Sequence, residues 1–201
     1  MLNIMFCRRT TVVKGVLFLA AGLLSGCGSS GGNAFQSLLN QRADQYDAIK
    51  GDPLVPNASI PTTGSVQYQG FVFAGSADAA TNTISDGLVG ELTVDANFSN
   101  SSISGTASNF VTESGAELSG ALQVGTSLIN RFSPSQVAIF APMNGDLTRD
   151  NGDVYQVTST IAGDFYGTAA QDIFGDVIGN YVLNGTSHEF NGDFQGVQVN
   201  P

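Results

Sequence analysis

From Leu88 onward, apolar or bare positions recur at every second residue. Leu88, Gly90, Leu92, Val94, Ala96 and Phe98 alternate with Val89, Glu91, Thr93, Asp95 and Asn97. Leu118, Gly120, Leu122 and Val124 repeat the device, as do Phe190, Gly192, Phe194 and Gly196. A period of two places one set of side chains on a buried face and the other in water, which is the pattern of antiparallel strands and not of helices. Asp86-Gly87, Ser99-Asn100, Asn144-Gly145, Asn151-Gly152 and Asn184-Gly185 read as turns between the runs. Strands are therefore expected near 64–74, 87–98, 101–110, 116–125, 137–148, 154–166, 173–183 and 188–197. Eight such strands can close, and closure removes the exposed edges of an open meander. The expected fold is all-β: an eight-stranded antiparallel up-and-down barrel.

Glycines inside strands cost roughly 0.5–1 kcal/mol each, so their repeated use needs a reason. Gly90, Gly105, Gly120, Gly163, Gly175, Gly179, Gly192 and Gly196 fall on the face expected to point inward. Tight coiling, or large aromatics packed over bare backbone, would explain them. Phe165, Tyr181, Phe190 and Phe194 are the candidates to fill that space.

The N-terminus carries an address. Arg8, Arg9 and Lys14 precede the apolar run Gly15–Leu24, which at about ten residues is too short to span ~30 Å of hydrocarbon. Residues 1–26 fit a secretory leader. Leu24-Ser25-Gly26-Cys27 resembles the lipobox of bacterial lipoproteins, which implies a diacylglycerol on the Cys27 thiol. Gly28-Ser-Ser-Gly-Gly32 follows as a tether. Several acyl chains on one residue would anchor far more firmly than a single myristoyl chain. The residue after Cys27 is glycine and not aspartate, which by analogy with enteric sorting favours the outer membrane.

Residues 27–63 are expected to be an acylated, flexible tether with a short amphipathic helix over 34–50, where Phe35, Leu38, Leu39, Tyr46 and Ile49 recur at helical spacing. Pro53, Pro56 and Pro61 forbid regular helix beyond it and place the boundary of the barrel domain at 64–201. On that reading the chain from 64 onward folds alone.

Charge and composition exclude several functions. With the leader removed, Arg42, Lys50, Arg131 and Arg149 remain against seventeen acids, a balance of −13. Such a surface repels phosphate, so nucleic acid is not the expected partner. An acidic wall favours basic partners at low salt, or simply keeps a tethered monomer dispersed. Cys7 and Cys27 are the only cysteines, so residues beyond 27 hold no disulfide, zinc thiolate or thiol nucleophile. His188 is the only histidine, and no Gly-x-Ser-x-Gly elbow accompanies it. It reads as a strand-end residue or, more sharply, as a haem ligand. Asp146, Asp150, Asn151 and Asp153 could face a cation but lack EF-hand spacing. A membrane-spanning barrel is the rival fold. Outward positions such as Glu91, Asp95, Glu117, Asp176, Glu189 and Asp193, and the absence of tryptophan, argue against it.

Gly163-Asp-Phe165-Tyr166-Gly167-Thr-Ala-Ala170-Gln-Asp172-Ile173-Phe-Gly175, followed by Gly192-Asp-Phe194-Gln-Gly196, resembles the closing signature of the transferrin-binding protein B β-barrel family. Leu92-Thr-Val94-Asp95 through Ser102-Ile103-Ser-Gly105 is similar to that family's strand–turn–strand element. Thr168, Asp172 and Phe174 depart from its proline, glutamate and glycine, and Ala96-Asn97 reads as an insertion before Phe98. The resemblance implies a small barrel on a surface lipoprotein. It does not imply transferrin binding, because recognition in the large members uses a further lobe that this chain is too short to hold.

The functional expectation is a lipid-anchored, cell-envelope binding module without catalytic or cofactor residues, taking an unknown protein or small solute. The alternatives are a structural envelope lipoprotein and a haem or metal carrier. Replacing Cys27 by serine is expected to release the protein from the membrane fraction. A Cys27→Ser protein that still sediments wholly with membranes would defeat the anchor.

Overall fold

The computed structural model describes residues 31–78 and 83–199. The leader 1–26, the lipidation candidate Cys27 and residues 28–30 lie outside the described residues. One helix, α1 (Gly31–Ile49), precedes eight strands: β1 (Ser65–Asp78), β2 (Thr83–Asn97), β3 (Ser102–Thr112), β4 (Glu117–Leu128), β5 (Ile139–Arg149), β6 (Val154–Tyr166), β7 (Asp172–Leu183) and β8 (Thr186–Gln198). Each strand pairs antiparallel with its chain neighbours, and β1 pairs with β8 to close the barrel, with Gly70 opposite Gly196 and Val72 opposite Phe194. The up-and-down barrel expected from the alternation is the fold.

Two expected turns lie inside strands. Asp86-Gly87 belongs to β2 and Asn144-Gly145 to β5. At Gly145 the reason is close backbone approach: a Cβ there would run into the Ala121 carbonyl of β4. Asn184-Gly185 is a turn, with both residues at positive φ, 51° and 80°.

The inward glycines make room for aromatic rings. Gly163 lies opposite Gly175, which in turn faces Phe194. A Cβ at either glycine would come within 2.8 Å of the Phe194 ring. At Gly90 an added Cβ would sit 2.5 Å from the ring of Phe110, an aromatic not singled out from the sequence. Phe165 fills the far end, 6.0 Å from Tyr68 and 5.7 Å from Phe98.

Up-and-down topology puts the β2–β3, β4–β5 and β6–β7 connections at one end, beside the start of β1. That end is closed. The segment after α1, expected as tether, is built into it: Leu54 bridges to Tyr166, the Val55 N–H donates to Phe165 O, and Gly167 N–H donates to Pro53 O. Val55 and Ile60 join the interior core. Asn57, 8% exposed, donates from Nδ2 to the carbonyls of Asn130, Ser133 and Gln136, and so ties this segment to the β4–β5 loop. Arg131 braces the same end, donating to Ile60 O at 2.7 Å, Phe98 O at 3.1 Å and Ser101 Oγ at 3.0 Å. The prolines interrupt the helix as expected, but position 64 is not a packing boundary. A chain trimmed there would lose Val55, Ile60 and the Asn57 clamp.

The amphipathic helix forms, and it lies on the outer wall. Phe35 is buried with Val89 and Val111, whose side chains point out of the barrel, and Leu38, Leu39 and Phe73 flank them. Further along, Arg42 forms an ion pair with Asp193, and the buried Gln195 donates to Arg42 O at 2.7 Å. Tyr46 reaches Phe174 on β7, ring centroids 5.5 Å apart. The helix therefore descends from the β2–β3 wall toward the closed end.

Ile60, from the segment before β1, is 2% exposed in a core made mostly by strands. Ile60→Ala should lower unfolding free energy by about 3 kcal/mol in urea titration. A loss below about 1 kcal/mol would show that the segment before β1 is not part of the core.

Candidate functional site

Large inward side chains crowd the closed end. Toward the other end, where the β1–β2, β3–β4, β5–β6 and β7–β8 hairpins turn, the inward residues become smaller. Along β1, Tyr68 gives way to Val72 and Ala74; along β7, Ile173 gives way to Gly175, Val177 and Gly179. The result is a cup: an apolar cavity of about 490 Å³ opening between these hairpins. The interior is packed at the closed end and open at the other. An apolar cavity of about 150 Å³ holds one benzene, so this one admits a ligand about three times that size.

Leu122, Met143, Val177 and Val72 line the depth of the cup, with Leu88, Leu118, Leu147 and Val157 above them. The rim is aromatic. Tyr155 and Tyr181 lie 5.5 Å apart, and Phe190 stacks on Tyr181 at 6.4 Å. Two charged residues share the lining, Glu113 from the β3–β4 turn and Arg149 from the end of β5. Arg149 points inward by the same alternation as Met143 and Leu147. Its guanidinium carbon sits 5.9 Å from the Tyr155 ring centroid. Its Nε is buried and has no hydrogen-bond partner among the described residues.

His188 stands at the rim and outside the cavity lining. Its ring stacks on Tyr181, centroids 4.9 Å apart and 16° from parallel, and it is exposed. The imidazole therefore packs against the lip, beside Tyr181. The acidic hairpin is not gathered. Asn151 donates to Asp153 Oδ2 at 2.8 Å, Asp153 N–H donates back to Asn151 Oδ1 at 3.0 Å, and Asp146 is exposed further back on β5. Among the described residues no three His, Cys, Asp or Glu side chains converge as a metal site would require. Cys27 lies outside the described residues.

Sequence reasoning missed the cup and Arg149 with it. A basic residue at an inward-facing strand position, next to aliphatic neighbours, was the available signal.

A second polar group lies at the closed end. Asp172 is buried, and its carboxyl is pushed up to about 7, first by burial and then by the hydrogen-bonded side chain and charge of Asp52. Nearby, the buried Tyr68 hydroxyl donates to Ala170 O at 2.6 Å, and burial raises its pKa well above the usual tyrosine value. These groups are sealed away from the cup by Phe165 and its neighbours, so they belong to the plug and not to a reactive site.

No protein-family model matches the chain, and no curated protein matches it.

The Asp172 carboxyl keeps a proton in the folded chain that the unfolded chain releases near pH 4. Its contribution to stability is thus fully present below about pH 4 and is lost as pH rises toward 7. Relative to the unsubstituted protein, Asp172→Asn should gain thermal stability progressively between pH 4 and 8. A difference that is constant across that range would show that Asp172 does not titrate with folding.

Proposed function

We propose that this protein is a lipid-anchored binding module of the bacterial cell envelope, and that its binding site is the cup. The observation that carries the reading is the half-empty, apolar barrel interior with an aromatic lip. A barrel with a purely structural role gains by packing its interior to the usual density. Here Val72, Leu122, Val177 and their neighbours stop short of one another, while the closed end is sealed by an additional chain segment. Cavities of this size and lining are the usual setting for small, mostly apolar ligands.

Binding without catalysis is the favoured class because the lining offers aliphatic and aromatic surface, and because His188 is engaged on the lip. The leader, the Leu24–Cys27 lipobox and the likeness to transferrin-binding protein B barrels support placement in the outer membrane as an acylated protein. The helix adds a geometric point. Its first turns lie beside the β3–β4 hairpin, where Ala34, Ser37 and Leu38 share a groove with Asn109, Val111 and Glu117. Cys27 precedes Gly31 by four residues, a reach of at most ~14 Å. An acyl anchor at Cys27 would hold the mouth of the cup close to the lipid surface.

A solvatochromic apolar dye should bind the full chain at one site per molecule, and Leu122→Trp, which fills the cup, should reduce its affinity at least tenfold. A dye that binds the Leu122→Trp protein equally well would place binding elsewhere and remove the cup from consideration.

A further inference from the structure

The four basic residues that follow Cys27 meet different fates. Arg42 pairs with Asp193, Lys50 pairs with Asp47, and Arg131 donates to two carbonyls and a hydroxyl at the closed end. Arg149 alone among them has a side chain with no carboxylate or hydrogen-bond partner among the described residues, and that side chain faces the apolar cup. Glu113, the other charge on the lining, is exposed, accepts a hydrogen bond from the Gly87 N–H at 3.4 Å and makes no ion pair with Arg149. A buried guanidinium N–H without an acceptor is unfavourable unless something supplies one. With no acceptor for it among the described residues, a cation placed beside an apolar cavity is suited to an external anion.

We propose that the cup binds a single-chain amphiphile with an anionic head group, its acyl chain in the cavity and its head on Arg149. This rests on the cup being a binding site. The planar guanidinium fork matches a carboxylate or phosphate in two parallel hydrogen bonds. The Tyr155 ring under the guanidinium limits its motion and keeps the fork at the lip. From Arg149 to Met143 the lining runs six residues along β5, about 20 Å of strand or ~15 Å of depth at the usual barrel tilt. That depth is apolar throughout, with Leu147 and Leu122 beneath the guanidinium and Val177 opposite. One cationic group at the top of an apolar well fits one chain with one anionic end. A lipid with two chains would need a wider well, and a compact anion would leave the well empty.

The test is calorimetric titration of the full chain with palmitate, lysophosphatidate, hexadecanol and hexadecyltrimethylammonium. Palmitate or lysophosphatidate is expected to bind one to one, at least tenfold more tightly than the neutral and cationic chains; the tighter of the two identifies carboxylate or phosphate as the head. Arg149→Gln should bring the anionic chains down to the affinity of hexadecanol and leave hexadecanol unchanged, while Arg149→Lys should keep part of the preference. Hexadecanol binding to Arg149→Gln also shows that this protein is folded; should it not fold, loss of preference in Arg149→Lys at high salt serves in its place. Equal affinity for all four chains, or a preference that survives Arg149→Gln, would overturn head-group recognition and leave the cup a general apolar site. Failure of every chain to bind would instead overturn the cup itself.

Discussion

An eight-stranded barrel encloses room for side chains and little besides, so the distribution of large inward residues along its strands decides whether the interior is a core or a cup. In this protein they are concentrated at one end. Tyr68, Phe98, Phe165, Ile103, Ile139 and Ile173 are buried together near the connections from β2, β4 and β6. Phe194 spans the mid-height of the barrel over the bare backbones of Gly163 and Gly175. Above that level the walls of the cup are largely aliphatic or glycine up to the aromatic rim, and a cavity opens between them. The cavity follows where the bulk is placed.

A half-filled barrel must still bury enough apolar surface to be stable, and the residues before β1 add to that burial. Val55 and Ile60 complete the closed end, and Asn57 holds them there by satisfying three carbonyls of the β4–β5 loop. Arg131 satisfies two more carbonyls at the same place. On the outer wall, α1 covers Val89 and Val111, which would otherwise face water on an acidic barrel. Stability thus comes from one end and one side, while the other end stays open as the cup. Asp172, kept protonated toward neutral pH by burial and by Asp52, belongs to the same sealed region.

Charge follows the same division. Most acids stand on the outer wall, as at Glu91, Asp95 and Asp176, and only Asp193 is drawn into a contact with the helix. The scarce cations are placed where they hold structure, apart from Arg149. Its setting at the lip, over Tyr155 and above an aliphatic well, gives the cup a polarity that its lining alone would not have. With the mouth near the first turns of α1, a lipid anchor at Cys27 would bring that polarity to the bilayer surface.

Alternation was enough to read the barrel from the sequence, because a period of two is a property of the chain itself and survives any arrangement of neighbours. The helix over 34–50 was legible for the same reason, from the spacing of Phe35, Leu38, Leu39, Tyr46 and Ile49. Turns were less so. Asn144-Gly145 has the composition of a hairpin, yet Gly145 is needed where β5 crosses close to the Ala121 carbonyl, and nothing local records that approach. The role of residues 53–60 was hidden similarly, since prolines mark the end of a helix without saying whether the chain then leaves the domain or enters its core. Inward direction could be assigned to Leu122, Met143 and Arg149 from alternation alone. Whether they meet the opposite wall or stop short of it depends on barrel diameter and on what stands across the interior. That is a sum over eight strands brought together by closure, so the strands were settled by the sequence, and the cup with Arg149 at its lip only by the tertiary structure.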